Sequence, residues 1–155
     1  MRICACVKGT YCLILELPEE RRIRVGARGF RTFPRGTYVY VGSALAGIER
    51  RIARHMRSSK KKRWHIDYLL DKALVVSTVA MHSGSKRAEC EVARALLASE
   101  GAEVIMRRFG SSDCGCPSHL IYFGAEDRAW VAESVVRAVA VLACAYPAVA
   151  GRERE

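Results

Sequence analysis

The sequence has no uncharged apolar run of about 18 residues, the length at which a membrane-spanning helix is suspected. Its longest candidate, Ala129 to Tyr146, carries Glu133 and Arg137. The N-terminus has no apolar h-region of a secretory signal, so a cytoplasmic protein is expected and no membrane partner. No internal repeat and no linker divides the chain, which excludes a repeat array. One domain over residues 1–150 is expected, with a frayed tail at 151–155.

Acidic residues are scarce: 16 against 26 basic ones, for a net charge of +10. Lysine is scarce too, with six against twenty arginines. Arginine is favoured where planar, bidentate phosphate contact matters. Such an excess in a small domain points to a nucleic-acid partner, and less to an anionic membrane. Seven cysteines, an odd number, exclude a complete disulfide framework. In a reducing compartment they read as buried small hydrophobes, metal ligands, or the intracellular disulfides of hyperthermophiles.

Half of the residues are hydrophobic, enough for a core. Met1 to Val7 is short and apolar and fits the start of a first strand over Gly9 to Leu17. Glu19 and Glu20 make a turn, and Arg21 to Gly26 reads as the returning strand of a hairpin. Gly26 to Gly36, rich in glycine, reads as a loop. Thr37 to Val41 is a strand that Gly42 and Ser43 end, and a helix runs from about Ile48 to Arg57. Ser58 to Arg63 is a basic loop, and a short helix starts near His65. Leu74 to Met81 reads as a buried strand, Ser83-Gly84-Ser85 as a turn, and Ser85 to Ser99 as a helix. Glu103 to Phe109 is a further strand, Gly110 to Pro117 a loop, Ser118 to Phe123 an edge strand, and Glu126 to Ala143 a helix. The expected class is α+β: a small, mainly antiparallel sheet flanked by helices, in the order β-β-β-α-α-β-α-β-β-α.

The chain is organised around Gly36 to His55. A strand, a glycine corner and a basic helix together suit phosphate handling. At about 100° per residue, Ile48 and Ile52 mark the buried side of the helix, with Arg51 and His55 at its edge. Arg50, Arg54 and Arg57 point the opposite way, toward solvent. The first pair suits a fixed site, and the others a surface that attracts polyanions. All five also read as a plain wet basic face.

Gly9-Thr10-Tyr11 opens the first strand and Tyr40-Val41-Gly42 closes the third. With Arg51 and His55 one turn apart on the next helix, this set resembles the GIY-YIG nuclease superfamily. Each tripeptide differs only at its middle residue. The strings Y-V-Y-V-G-S-A, R-R-I-A-R-H, W-H-I-D-Y-L-L, A-E-C-E and F-G-S-S-D-C-G-C-P-S-H-L resemble a stand-alone, mostly archaeal, Uri-type endonuclease-like branch over residues 8 to 123. That branch is catalogued as a domain of unknown function. Here the two tripeptides stand much farther apart than is usual, with the Arg21 to Gly26 strand inserted between them.

The resemblance implies metal-assisted hydrolysis of a phosphodiester. The chemistry needs a base for water, a cation for the developing phosphorane charge and a metal for the leaving oxygen. Tyr11 is the implied base or water-orienting group, although a phenol with a pKa of about 10 is a poor base at neutral pH. Tyr40 would orient water and phosphate, and Arg51 would contact the phosphate. His55 would steady the phosphate or shuttle a proton. Gly9, Gly42 and Ser43 would let backbone approach the substrate. As alternatives, Tyr11 and Tyr38 are core aromatics, and the glycines simply end strands.

The resemblance implies a functional glutamate on a later helix; Ser85 to Ser99 supplies two candidates, and helix geometry chooses between them. Glu89, Val92, Ala93 and Leu96 share a face, whereas Glu91 lies about 200° away beside Arg87 and Arg94. A carboxylate on the core side is costly unless it holds a cation. Glu89 is therefore the expected ligand for one Mg²⁺ or Mn²⁺ ion, completed by waters. Its alternative is an edge carboxylate paired to an arginine. Arg54, Lys61, Lys62, Arg63 and Trp64 are candidate substrate contacts, Trp64 by stacking. His65 and Asp67 join them as site-lining candidates, with a cap or an arginine pair as the alternative for Asp67.

Cys114-x-Cys116-x₂-His119 has a zinc-like look that Cys4-x-Cys6 would complete. C-x-C is not the usual C-x₂₋₄-C spacing, so a structural loop or a disulfide is expected ahead of zinc. Asp113 and His119 are alternative site-lining residues. The leading reading is a divalent-metal-dependent endonuclease acting on DNA rather than RNA, selective for branches, flaps or lesions. The alternatives are a non-catalytic nucleic-acid-binding module on the same fold and a zinc-stapled interaction domain.

Overall fold

The computed structural model describes residues 7–83, 85–125 and 127–146. Expectations about residues 1–6, among them Cys4 and Cys6, and about the 151–155 tail lie outside the described residues. The fold is α+β. Strands β1 (Gly9–Leu17), β4 (Gly36–Ala44), β5 (Leu74–His82) and β6 (Leu120–Tyr122) form a four-stranded antiparallel sheet in the order β5-β1-β4-β6. Strands β2 (Arg21–Arg24) and β3 (Phe30–Phe33) form a separate two-stranded sheet. Helices α1 (Ile48–Met56), α2 (His65–Leu70), α3 (Arg87–Leu97) and α4 (Arg128–Ala145) complete it. No helix among the described residues is long and apolar enough to cross a membrane.

β1 and β4 occupy the centre because both of their faces are apolar. Alternation along a strand sends successive side chains to opposite faces. Tyr11, Leu13, Leu15 and Leu17 join Tyr38 and Tyr40 on one face, under Ile48 of α1 and Ile66 and Leu69 of α2. Cys12, Ile14, Val39 and Val41 face the other way, onto Val92 and Leu96 of α3 and Val131 and Val135 of α4. Each fully buried side chain of this size contributes roughly 1.5–3 kcal/mol. Tyr38 belongs to this packing, and its hydroxyl donates to the Pro34 carbonyl at 2.6 Å.

Five details depart from the pattern read from sequence. Gly42 does not end its strand, because β4 continues to Ala44. Gly26 to Gly36 is not a loop: a 3₁₀ turn at Gly26–Arg28 leads into β3. The residue pattern F-R-T-F hides a strand behind an arginine. β2 therefore pairs with β3, and does not return along β1. Leu74 to Met81 is mostly exposed, with only Met81 fully buried. β5 is a sheet edge, with Leu74 60% exposed. Glu103 to Phe109 forms no strand and pairs with the sheet through an isolated bridge between Glu103 and Tyr122. Its apolar Met106 and Phe109 plug the core, and positive φ at Arg108 (63°) turns the chain away. The observed order is β-β-β-β-α-α-β-α-β-α.

Candidate functional site

Antiparallel pairing sets Tyr11 opposite Gly42 and Leu13 opposite Tyr40. Tyr11 and Tyr40 thus share a face on a diagonal, with ring centroids 6.5 Å apart. A Cβ at Gly42 would lie 2.5 Å from the Tyr11 hydroxyl oxygen. Gly42 is therefore needed to seat the Tyr11 ring. A Cβ at Gly9 would lie 2.0 Å from the Met81 carbonyl oxygen, so Gly9 serves the β1–β5 pairing. It does not line the cleft, in contrast to the expectation of substrate contact.

The cleft has a volume of about 490 Å³. Its lining includes Tyr11, Tyr40, Gly42, Ser43, Arg51, Arg63, Trp64, His65 and Glu89. The strands supply the tyrosines, α1 supplies Arg51, and the first turn of α3 supplies Glu89. Gly110, Ser112 and Asp113 form a further wall, and the Gly110 N–H donates to His65 Nδ1 at 3.1 Å.

At the base of the cleft the Tyr11 hydroxyl and His55 Nε2 are 2.7 Å apart. Burial pushes the Tyr11 phenol well above its ordinary value, and the Arg51 guanidinium beside it pulls in the opposite direction. Burial also raises Tyr40, and the neighbouring Tyr11 and Glu89 add to that. Burial drives His55 down to about 4; Asp67 pulls it up, while Lys60, Arg54 and Arg51 push it down. His55 is thus neutral at pH 7 and shares one hydrogen bond with the Tyr11 phenol, its direction set by the imidazole tautomer. Its Nδ1 has no hydrogen-bond partner among the described residues and lies 4.0 Å from Asp67 Oδ1.

Asp67 is fully buried and anchors the second layer. Arg54 donates to both of its oxygens, each at 2.9 Å. The backbone N–H groups of Arg63 and Trp64 donate to Oδ2 at 2.8 and 3.1 Å, which caps α2. Burial raises the Asp67 pKa, but these donors outweigh it and hold the carboxyl at about 2. Arg54 is therefore a clamp inside the protein. It is not the solvated substrate contact expected from its helix angle, because the buried carboxylate across the loop claims it. The Arg51 and Arg54 guanidinium carbons lie 4.3 and 4.1 Å from the Trp64 ring centroid. Trp64 already stacks on two cations and so steadies Arg51 at the cleft. Lys62 pairs with Asp71 at 2.8 Å, and Lys61 is exposed; neither lines the cleft.

Glu89 has a second neighbour that sequence reasoning missed. Its Oε1 lies 2.9 Å from Nδ1 of the buried His119. On the other side of that ring, Nε2 lies 3.5 Å from Cys114 Sγ and 3.9 Å from Cys90 Sγ. Cys90, Cys114, Cys116 and His119 place one donor atom each within 4.8 Å of one another, a cluster that could hold a metal ion. Cys90 was hidden because it sits on α3, a long stretch of chain before the loop. The string A-E-C-E, which sets it beside Glu89, was the available signal. Burial and the neighbouring thiols push Cys90 up to about 12.

Residues 10–141 match the family described as Domain of unknown function DUF123, and the chain belongs to that family. No curated protein matches the chain, and no solved structure matches it.

Proposed function

We propose that this protein is a divalent-metal-dependent endonuclease of the GIY-YIG type, hydrolysing phosphodiester bonds in branched, flapped or damaged DNA. The observation that carries this reading is the 2.7 Å contact between Tyr11 and His55 in a cleft that Arg51 and Glu89 also line. A phenol alone is a poor base at neutral pH. Coupled to a neutral imidazole, it becomes a relay. Water gives a proton to the Tyr11 oxygen as Tyr11 gives its own to His55 Nε2, the negative charge of the bound phosphate offsetting the burial and cations that hold free His55 near 4. Asp67, 4.0 Å from Nδ1, stabilises the imidazolium that results.

Arg51 neutralises the phosphate charge that grows during attack, and Tyr40 orients the same group. The cleft's oxygen donors, the Glu89 carboxylate with the nearby tyrosine hydroxyls, suit a hard cation. A Mg²⁺ or Mn²⁺ ion held by Glu89 and waters would supply Lewis-acid stabilisation of the leaving oxygen. Arg21, Arg22, Arg24, Arg28 and Arg31 on the β2–β3 hairpin and Arg35 just after it are all exposed, and Arg22 stacks on Phe30 at 4.5 Å. This basic ribbon supports a nucleic-acid partner.

One observation favours a second reading, a nucleic-acid-binding module that does not cut. Glu89 is hydrogen-bonded to His119, a structural task that needs no catalytic ion. A nicking assay separates the two. Labelled duplex, flap, Y-fork, four-way junction and single-stranded DNA are incubated with Mg²⁺ or Mn²⁺, with wild type and Glu89→Ala. Cleavage by wild type alone is expected. Salt-sensitive binding by both proteins with no cleavage would sink the nuclease reading.

A further inference from the structure

The thiol cluster lies outside the Tyr11–His55 dyad but reaches the cleft through one side chain. Three sulfurs converge on one imidazole nitrogen, which can accept only one S–H bond. The bond from Nδ1 to Glu89 sets the tautomer: Nδ1 carries the proton and the Nε2 lone pair points at the sulfurs. Three sulfurs and one nitrogen form a soft donor set that selects zinc over magnesium. Zinc bonds of about 2.3 Å to sulfur and 2.0–2.1 Å to nitrogen give a tetrahedral S–N edge of about 3.5 Å. Cys114 matches that edge at 3.5 Å and Cys90 stands at 3.9 Å.

The loop that supplies three of the ligands is shaped in advance. Arg108 binds the carbonyls of Cys114 and Ser112, and the Ser111 hydroxyl binds the Cys116 carbonyl. The His119 N–H bonds the Phe109 carbonyl at 2.8 Å. The fourth ligand, Cys90, comes from α3, so an ion would staple helix to loop.

We propose that Cys90, Cys114, Cys116 and His119 bind one zinc ion, and that this ion positions Glu89 and the wall at Gly110 to Asp113 for the cleft. On binding, each thiol releases its proton to solvent, leaving three thiolates and a neutral imidazole. The protein fills all four positions, so the site is structural. Glu89 accepts from the ligating histidine, the outer-sphere role a carboxylate takes in carboxylate–histidine–zinc arrangements.

The test needs no nucleic acid, so its failure is separable from failure of the nuclease reading. The full chain is purified under reducing conditions and its zinc measured by mass spectrometry of the metal. One zinc per chain is expected, with Co²⁺ exchange giving tetrahedral ligand-field bands and thiolate-to-cobalt charge transfer. Cys114→Ser and Cys90→Ser should each lose the metal. Glu89→Leu should weaken zinc binding by roughly 10- to 100-fold in competition with a chromogenic chelator. A wild-type chain that holds no zinc and takes up no cobalt overturns the site. So does a disulfide mapped by peptide mass between two of Cys90, Cys114 and Cys116. Unchanged affinity in Glu89→Leu overturns the link to the cleft.

Discussion

Two polar regions share the Glu89–His119 hydrogen bond and are otherwise opposites. The cleft is built from oxygens, guanidinium groups and aromatic rings on β1, β4, α1, the start of α2 and the first turn of α3. The cysteine cluster is built from sulfurs on α3 and an irregular loop. Hard donors are presented to an open cavity and soft donors are turned toward one another. The difference teaches that one side chain can serve two sites when its neighbours, and not its own type, set the task.

The comparison breaks first at Tyr11. Tyr11→Phe keeps the ring and removes the relay hydroxyl, so DNA cleavage should fall by about 10²–10⁴-fold. Zinc content should stay unchanged, as measured on the same preparation. Equal cleavage by the variant would remove Tyr11 from the chemistry.

Asp67→Ala strands the half-covered Arg54 cation and uncaps α2, and should cost about 3 kcal/mol in urea unfolding. This loss belongs to the cleft side alone, so the stoichiometry of bound metal should hold.

Acid sharpens the same boundary. His55 has a folded pKa of about 4 against an ordinary 6.5, so the unfolded chain binds its proton more readily. Its contribution is complete above about pH 6.5 and is lost as pH falls toward 4, about 3 kcal/mol in all. Asp67, held at about 2 against 3.8, adds a further loss only below that window. Chemical denaturation at pH 7, 5.5 and 4.5 should show the slope in wild type, and His55→Gln should flatten it.

The smallest effect is expected at the hairpin. Arg22→Ala should weaken DNA binding evenly across sequences and reduce the salt slope by about one phosphate contact. Filter binding at several salt concentrations measures it.

Much of the candidate site was legible because the resemblance singled out its residues and local periodicity placed them on strands and helix faces. The two tripeptides fix Tyr11 and Tyr40 on strands, and helical spacing brings Arg51 and His55 to one edge. Glu89 followed from the apolar stripe of its helix. What stayed hidden depends on partners that periodicity does not encode. Arg54 looked solvated because Asp67 lies across a loop. Cys90 went unread because its neighbours come from a later loop. β5 looked buried because strand composition does not reveal strand order, and only the order β5-β1-β4-β6 makes it an edge. β3 was lost to the glycines and arginines around it.

The empty space at Gly42 reaches beyond packing. Because the Tyr11 ring fills it, the last residue of one tripeptide and the last residue of the other are two halves of a single steric unit. Neither can drift alone. A methyl group at position 42 would evict the phenol from its seat beside His55 without altering any reactive group. The two motifs, distant in the chain, therefore act as one steric constraint, and a change at either end has to be answered at the other.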